Sequence, residues 1–158
     1  MIHNSVHCGS ADLRVVPSTG KRLLLNAEPF GFGPAAAIAA FASRLRPRCS
    51  VLGYAGVGHT LDLQRGLPYD SVHDLTAKPL DEWRAVLSGY DAVLTALDNE
   101  VAILAVDAGL RVAIYDPLAW YFAEIPAVAK RTLYLAQDFF GVAERFAKGT
   151  LHRVRAMG

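Results

Sequence analysis

The chain has 158 residues, a length typical of one domain that buries a substantial core. Its residues are 53% hydrophobic and 20% charged, which excludes an intrinsically disordered protein. The formal net charge of +1 gives no electrostatic basis for binding nucleic acid, so we expect no such partner. A chain of this length is not expected to close over two substrates as a two-domain enzyme does, unless a partner supplies the other half.

Cysteine content and apolar patterning bear on the compartment. The two cysteines, Cys8 and Cys49, are too few for a disulfide framework and too isolated for a metal-binding motif. Residues 1–17 have neither the basic start nor the apolar segment of a signal peptide. Since no apolar run approaches the ~20 residues of a membrane span, we predict a cytoplasmic protein that does not cross a membrane.

The predicted elements begin after a polar leader, residues 1–21. The short apolar run Arg22–Asn26 predicts a strand, and apolar residues recur with helical spacing over Ala35–Leu45. Pro47 then ends this helix, and Val51–Ala55 predicts a second buried strand. The order is therefore strand, glycine-rich turn, helix, strand.

The second half of the chain continues this alternation. A short helix is predicted near Leu61–Arg65, and Asp98-Asn99 is expected to cap a helix that ends at Gly109. Asp81 is expected to cap the helix that contains Trp83. The remaining predicted elements are a weak strand within Tyr69–Leu75, the strands Ala92–Leu97, Arg111–Tyr115 and Leu133–Ala136, and a last helix, Val142–Ala147.

The pattern of the strands predicts the fold class. Strands that are apolar throughout are buried on both faces, as in a parallel sheet covered by helices on each side. Strands that alternate with helices then give a single α/β domain with a Rossmann-like, doubly wound, mostly parallel sheet. We place this domain at residues 22–147 and a basic C-terminal tail at 148–158.

In an open parallel sheet, ligands bind at the carboxyl ends of the strands, near the point where the strand order reverses. This rule selects the loops that follow the predicted strands as the candidate site. No phosphate-binding loop of the G-x-x-x-x-G-K-[ST] type and no G-x-S-x-G motif occurs, which disfavours P-loop hydrolases and α/β-hydrolases. The selected loops are residues 28–33, 56–59, 98–100, 116–120 and 137–138.

The first of these loops resembles a dinucleotide-binding motif. Residues 31–36 read G-F-G-P-A-A between a predicted strand and helix, which matches G-x-G-x-x-A. The acidic residue expected after the second strand is absent, because Tyr54 and Ala55 stand there, and Pro34 removes one amide. Three interpretations remain open: a nicotinamide cofactor, a tight turn that needs glycine, and a loop that contacts substrate. We expect no cofactor.

The other loops supply candidate catalytic and binding residues. His59 is a candidate general base or an ordinary polar loop residue, and Asp98 is a candidate base or simply a helix cap. The aromatic run after Asp116 either lines a pocket for a ring-shaped ligand or packs against the sheet edge or another subunit. The predicted substrate-contacting residues are Phe30, Gly31, Phe32, Gly33, Asn99, Glu100, Asp116, Trp120 and Gln137.

Three stretches together resemble a known family. These are the run from Leu23 to Pro34 with the alanine-rich helix that follows, the stretch Tyr115-Asp116-Pro117-Leu118 with Trp120, and residues 133–141, which read L-Y-L-A-Q-D-F-F-G. Over residues 22–147 the chain resembles the N-terminal, acceptor-side half of GT-B glycosyltransferases of bacterial sugar-transfer and natural-product pathways.

The resemblance implies transfer of a hexose from a nucleotide-sugar to an acceptor hydroxyl in a cleft between two Rossmann-like halves. The N-terminal half would bind a small-molecule acceptor and supply a base, for which His59, Asp98 and Asp116 are the nearest candidates. The chain departs from the family in two ways: Phe32 stands where many relatives have a histidine, and the half that binds the donor is absent. The chain is therefore expected to be either truncated or completed by a separate donor-binding subunit or by self-association. The alternatives are a non-catalytic binding or regulatory module and a small stand-alone protein that binds a nucleotide or sugar.

Overall fold

A computed structural model describes residues 20–122, 124–137, 139 and 141–142, together with the backbone of 154–157. Within these residues the chain forms one parallel sheet with the strand order β3-β2-β1-β4-β5-β6-β7. The strands are β1 Arg22–Ala27, β2 Val51–Gly56, β3 Ser71–Asp74, β4 Ala92–Ala96, β5 Arg111–Asp116, β6 Leu133–Gln137 and β7 Val154–Met157.

The strand order reverses between β1 and β4. From β1 the chain builds outward through β2 to β3, returns to place β4 on the other side of β1, and then continues outward to β7. Neighbouring strands are parallel throughout, with Leu25 of β1 opposite Tyr54 of β2 and Leu94 of β4. The predicted Rossmann-like α/β fold is confirmed, and its switch point lies at the carboxyl ends of β1 and β4.

Helices lie on both faces of the sheet. They are α1 Gly33–Leu45, α2 Leu80–Leu87 and α3 Asn99–Asp107. Ala35 and Ile38 of α1 pack in one cluster with Leu25, whereas Val101 of α3 packs in another with Leu24. Because neighbouring residues of β1 point to opposite faces, both Leu24 and Leu25 are fully buried. This explains why the strands are apolar without alternation.

Three local features differ from the sequence-based expectations. The cap of α2 is Pro79, and Asp81 lies in its first turn. The helix expected near Leu61–Arg65 is replaced by two short 3₁₀ turns, Gly58–Thr60 and Asp62–Gln64. The backbone of residues 154–157, which we assigned to a basic tail, pairs with β6 as a seventh strand. The leader and nearly all of the predicted last helix lie outside the described residues.

No helix within the described ranges has the length and apolar character needed to cross a membrane.

Gly53 of β2 is required because Tyr90 packs directly on it. A Cβ atom at this position would lie 2.0 Å from the Tyr90 hydroxyl oxygen. That hydroxyl also hydrogen-bonds to Ser71 Oγ at 2.8 Å and to His73 Nε2 at 3.0 Å, so moving the ring breaks both bonds. We expect Gly53→Ala to lower the free energy of unfolding by about 1.5 kcal/mol, measured by urea denaturation. Gly33→Ala is the matched control, since nothing lies within 4 Å of a Cβ there. Equal losses for the two variants would contradict the prediction.

Candidate functional site

A buried polar bridge joins three strands at the switch point. Asn26 of β1 lies opposite Thr95 of β4. The Thr95 hydroxyl donates to Asn26 Oδ1 at 2.6 Å, and Asn26 Nδ2 donates to the carbonyl oxygen of Ala55 at 3.1 Å. Asn26 is 1% exposed and Thr95 is fully buried, so each bond is protected from water. The bridge fixes the spacing of β1, β2 and β4 where their loops begin.

Two clefts open at this edge of the sheet, and Glu28 and Asn99 line both of them. The first, of about 540 Å³, lies over the ends of β4, β5 and β6, and we call it the aromatic cleft. Besides the two shared residues, its lining includes Phe30, Leu97, Asp116, Leu118, Phe122 and Tyr134.

The second cleft, of about 520 Å³, lies between α2 and α3, and we call it the acidic cleft. Besides the two shared residues, its lining includes Asn26, Trp83, Asp98 and Glu100. The N-terminal end of α3 therefore stands between the two clefts.

The backbone at the end of β4 adopts an uncommon conformation. Leu97, which lines the aromatic cleft, has a φ of +66°, in the left-handed region that non-glycine residues rarely occupy. Its amide donates to the carbonyl oxygen of Tyr115 at 3.1 Å, which holds the turn in place. Such a conformation costs about 1 kcal/mol or more and is typical of functional loops. The strain therefore marks the same edge that the strand order selects.

Glu28 is the central titratable group of the site. It follows β1 directly, and its amide donates to the carbonyl oxygen of Ala96 at 2.9 Å. Burial raises the pKa of the Glu28 carboxyl, and the neighbouring carboxylates of Asp98 and Glu100 raise it further. A carboxyl group with a raised pKa in an open cleft is suited to accept a proton near neutral pH.

Asp98 serves as the cap of α3. The amide of Val101 donates to Asp98 Oδ1 at 2.9 Å, and the side chain is buried. Burial raises the pKa of the Asp98 carboxyl, while hydrogen bonds from Val101 and Asn26 act to lower it. The predicted cap is therefore present, and the same carboxylate lines the acidic cleft.

We expect Asp98→Ala to lower the free energy of unfolding by about 1 kcal/mol, because α3 loses its cap. Asp98→Asn retains an oxygen that accepts from Val101 and is expected to cost less than half as much. Thermal or urea unfolding of both variants measures the difference. Equal losses would show that the charge of Asp98, rather than its capping bond, supplies the stability.

Asp116 ends β5 in a buried hydrogen-bond pair. The Tyr134 hydroxyl donates to Asp116 Oδ2, and the amide of Leu118 donates to Oδ1 at 2.7 Å. Burial raises the pKa of the Asp116 carboxyl, and the bonds from Tyr134 and Leu118 oppose that rise. Both side chains line the aromatic cleft, where they hold the loop after β5 against the end of β6.

His59 joins the loops that follow β1 and β2. Its Nε2 lies 2.8 Å from the carbonyl oxygen of Gly31, and since a carbonyl only accepts, Nε2 is the donor. The ring also packs edge-on against Phe32, with centroids 5.0 Å apart. His59 lines neither cleft. Its role as a base stays a prediction without geometric support, while its contact with Gly31 holds the glycine loop.

The remaining predicted residues are spread over the site. Gly31 has a φ of +63°, so this turn needs glycine, and Gly33 begins α1. Gln137 accepts a hydrogen bond from the Tyr115 hydroxyl at 3.1 Å. Of the predicted contact residues, Phe30, Asn99, Glu100 and Asp116 line a cleft, whereas Gly31, Phe32, Gly33, Trp120 and Gln137 line neither. The roles of all these residues stay predictions.

Sequence analysis missed three residues of the site: Glu28, Asn26 and Tyr134. Glu28 lay within a selected loop, and a carboxylate directly after a strand was a signal that favoured it. Asn26 was a polar residue ending an apolar strand, which predicts a buried hydrogen-bonding role. No sequence signal linked Tyr134 to Asp116. Among the described residues, no group of three His, Cys, Asp or Glu side chains is placed to hold a metal ion.

No protein-family model and no curated protein matches this sequence. Two solved structures are similar to it. A hypothetical protein, SMU.573 from Streptococcus mutans, matches with a TM-score of 0.54 and 18% identity over 89% of this chain and 54% of its own. A Rex-family repressor, RSP, matches with a TM-score of 0.42 and 17% identity over 81% of this chain and 57% of its own. The chain thus spans just over half the length of each, and the first likeness supports the α/β fold.

Proposed function

We propose that this chain is the acceptor-binding part of a sugar-transferring enzyme, and that another domain or a partner subunit binds the nucleotide-sugar. The sequence resemblance to the acceptor-side half of GT-B glycosyltransferases suggests this function. The site is consistent with it, because two open clefts of about 520 and 540 Å³ meet at the switch point. Volumes of this size accept a small molecule of one or two rings.

The single observation that carries the proposal is the position of Glu28. It lines both clefts, and its carboxylate forms no hydrogen bond or ion pair with the described part of the chain. In sugar transfer, the acceptor hydroxyl loses its proton as its oxygen forms a bond to the sugar carbon and the nucleotide diphosphate leaves. A partly buried carboxylate with a raised pKa is suited to take that proton. Glu28 therefore replaces Asp98 and His59 as the base that we favour.

The first experiment measures binding by the isolated full chain. ¹⁵N-labelled protein is titrated with neutral hydroxylated ring compounds, such as glucose and tyrosol, and separately with UDP-glucose, while amide shifts are followed by NMR. We expect the hydroxylated compounds to shift amides around Glu28 and Asn99, and UDP-glucose to bind weakly at most. Tight binding of UDP-glucose, or no shift at either cleft with any compound, would overturn the proposal.

The second experiment measures turnover. A nucleotide-sugar-binding polypeptide that copurifies with this chain is added back, and sugar transfer to the acceptor is followed. We expect Glu28→Gln to lower kcat by about 100-fold or more, while the acceptor affinity changes little. Glu82→Gln is the matched control, because Glu82 lies outside both clefts and pairs with Lys78. Unchanged kcat in Glu28→Gln would exclude it as the base.

A further inference from the structure

The aromatic cleft is lined mainly by apolar side chains. Two of them are accessible aromatic rings, since Phe30 is 69% exposed and Phe122 is 45% exposed. The apolar lining is completed by Leu97, Ile114, Leu118, Ile125, Pro126 and Ala127. Accessible rings on a concave surface offer contact to a ligand that is itself flat and apolar. A ligand covered with hydroxyl groups would lose hydrogen bonds to water against this lining, so the cleft favours an aromatic ring over a sugar ring.

Three carboxylates line the aromatic cleft, and they differ in what a ligand finds there. Asp116 already accepts hydrogen bonds from the Tyr134 hydroxyl and the Leu118 amide. Glu124 is exposed to water. Glu28 is half-buried, and its carboxylate forms no hydrogen bond or ion pair with the described part of the chain. The cleft therefore combines an apolar surface with one sheltered acceptor, which suits a ring that carries a single hydroxyl.

The acidity of the acceptor hydroxyl decides how easily a carboxylate removes its proton. A phenolic hydroxyl has a pKa of about 10, whereas an aliphatic hydroxyl resembles water, whose pKa is about 16. Burial, and then the neighbouring carboxylates, raise the pKa of Glu28 and make it a stronger base. A carboxylate is still a far weaker base than an alkoxide. Because a phenol is roughly a millionfold more acidic than an alcohol, it is the better match to this base.

The charges around the site favour the same class of acceptor. No lysine, arginine or histidine of the described ranges lines either cleft. A full negative charge on an aliphatic oxygen would therefore lack a cationic side chain to stabilise it. A phenol depends less on such a group, because its ring shares the charge as the proton leaves.

We propose that the acceptor is a phenol, whose ring lies in the aromatic cleft and whose hydroxyl donates to the Glu28 carboxylate. The inference rests on the proposed function and adds the chemical class of the acceptor to it. During transfer, the phenolic proton moves to Glu28 while the phenolic oxygen forms a bond to the sugar carbon. The bond from that carbon to the nucleotide diphosphate breaks, and the diphosphate leaves with the electron pair. Sugars and aliphatic alcohols are poor acceptors here, because the lining is apolar and their hydroxyls are weakly acidic.

The binding test compares tyrosol with two ligands that each lack one of its features. Phenethyl alcohol lacks the phenolic hydroxyl, and the saturated cyclohexanol analogue of tyrosol keeps both hydroxyls but has no aromatic ring. The ¹⁵N-labelled full chain is titrated with each of the three and with glucose, and amide shifts are followed by NMR. We expect tyrosol to shift amides of the aromatic cleft and to bind about tenfold more tightly than the other ligands.

Two variants assign this preference to the site. Glu28→Gln is expected to bring the affinities of tyrosol and phenethyl alcohol to within about twofold of each other, because the charged acceptor for the hydroxyl is lost. Phe122→Ala is expected to weaken tyrosol binding about fivefold. The matched controls, Glu82→Gln and Ile103→Ala, should leave both affinities unchanged. Glu82 pairs with Lys78 outside the clefts. Ile103 is 45% exposed, as Phe122 is, and lines neither cleft.

Turnover gives a second readout, because tyrosol carries a phenolic and an aliphatic hydroxyl on one molecule. When the nucleotide-sugar-binding polypeptide is added back, we expect the sugar to be joined to the phenolic oxygen, which NMR of the product identifies. A sugar joined to the aliphatic oxygen would overturn the inference and leave the proposed function standing.

The binding results also separate the two proposals. If phenethyl alcohol, the saturated analogue or glucose binds at the clefts as tightly as tyrosol, the inference is overturned and the acceptor-binding proposal stands. Shifts confined to the acidic cleft would have the same meaning. A preference for tyrosol that persists in Glu28→Gln would also overturn the inference. If no ligand shifts residues of either cleft, both proposals fail.

Discussion

Replacing Asn26 by alanine is expected to lower the free energy of unfolding by about 3 kcal/mol, because the two buried hydrogen bonds of the bridge to Thr95 and Ala55 are lost together. The Thr95 hydroxyl and the carbonyl oxygen of Ala55 would each lose a partner in a region that water does not reach. Since the bridge also sets the spacing of the strands that carry Glu28 and Asp98, ligand binding at both clefts should weaken. Urea denaturation and the NMR titration with tyrosol measure the two effects.

Three further variants separate the bridge from general effects of truncation. Thr95→Val keeps the shape of the side chain but removes one bond, and it should cost about 1–2 kcal/mol. The double variant should cost less than the sum of the two single losses, because both remove the same bond. Ser50→Ala, which breaks an exposed 2.9 Å bond to the carbonyl oxygen of Lys21, should change stability by less than about 0.5 kcal/mol. A loss in Asn26→Ala no larger than in Ser50→Ala would contradict the prediction.

The sheet could be predicted from the sequence because its strands are short apolar runs between clear turn signals. Leu24 and Leu25 are buried on opposite faces of β1, so the absence of alternation correctly indicated helices on both sides. The cap of α3 was also predictable, since Asp98 precedes an apolar helical stripe and accepts from Val101. The sequence signals for these features are local, namely apolar runs and a capping residue, although the burial itself comes from residues distant in sequence.

Features without a local sequence signal could not be predicted in this way. The seventh strand, Val154–Met157, includes Arg155 and has no apolar run, and pairing with β6 alone establishes it. Asp81 could equally well cap α2 or lie in its first turn, where an acid is also favourable. Local sequence does not distinguish these two positions, and in the structure α2 begins at Leu80 with Pro79 at the cap.

The candidate site was predicted at the level of loops but not of side chains. Strand order selected the loop that begins at Glu28, yet the residues chosen within it were Phe30 to Gly33. Because β1 extends to Ala27, Glu28 is the first residue beyond the sheet and lines both clefts. The 3₁₀ turn Gly58–Thr60 brings the ring of His59 to Gly31 instead. β1 is one residue longer than the predicted strand, so Glu28 is the first side chain beyond it and lies at the centre of the site.

Replacing Tyr134 by phenylalanine is expected to lower the free energy of unfolding by about 2 kcal/mol near neutral pH, since a hydrogen bond to a buried carboxylate is lost. The Tyr134 hydroxyl donates to Asp116 Oδ2, and that bond acts to lower the pKa of a carboxyl that burial raises. Without the bond, the pKa of Asp116 in the folded variant rises further above its value in the unfolded chain. The Asp116 carboxyl therefore holds its proton more tightly in the folded variant than in the unfolded chain.

The sign of the pH dependence follows from this difference. Between the unfolded and folded pKa values of Asp116, the folded variant binds more protons, so its stability falls as the pH rises through that window. Protonation of Asp116 at low pH removes the buried charge. The difference in free energy of unfolding between wild type and Tyr134→Phe should therefore be smaller at about pH 4 than at about pH 7.5. Urea denaturation at both pH values measures it, with Tyr121→Phe as the matched control because Tyr121 is 70% exposed. If that difference instead grows at low pH, the stability does not come from the hydrogen bond between Tyr134 and Asp116. Other contacts would then hold the loop after β5.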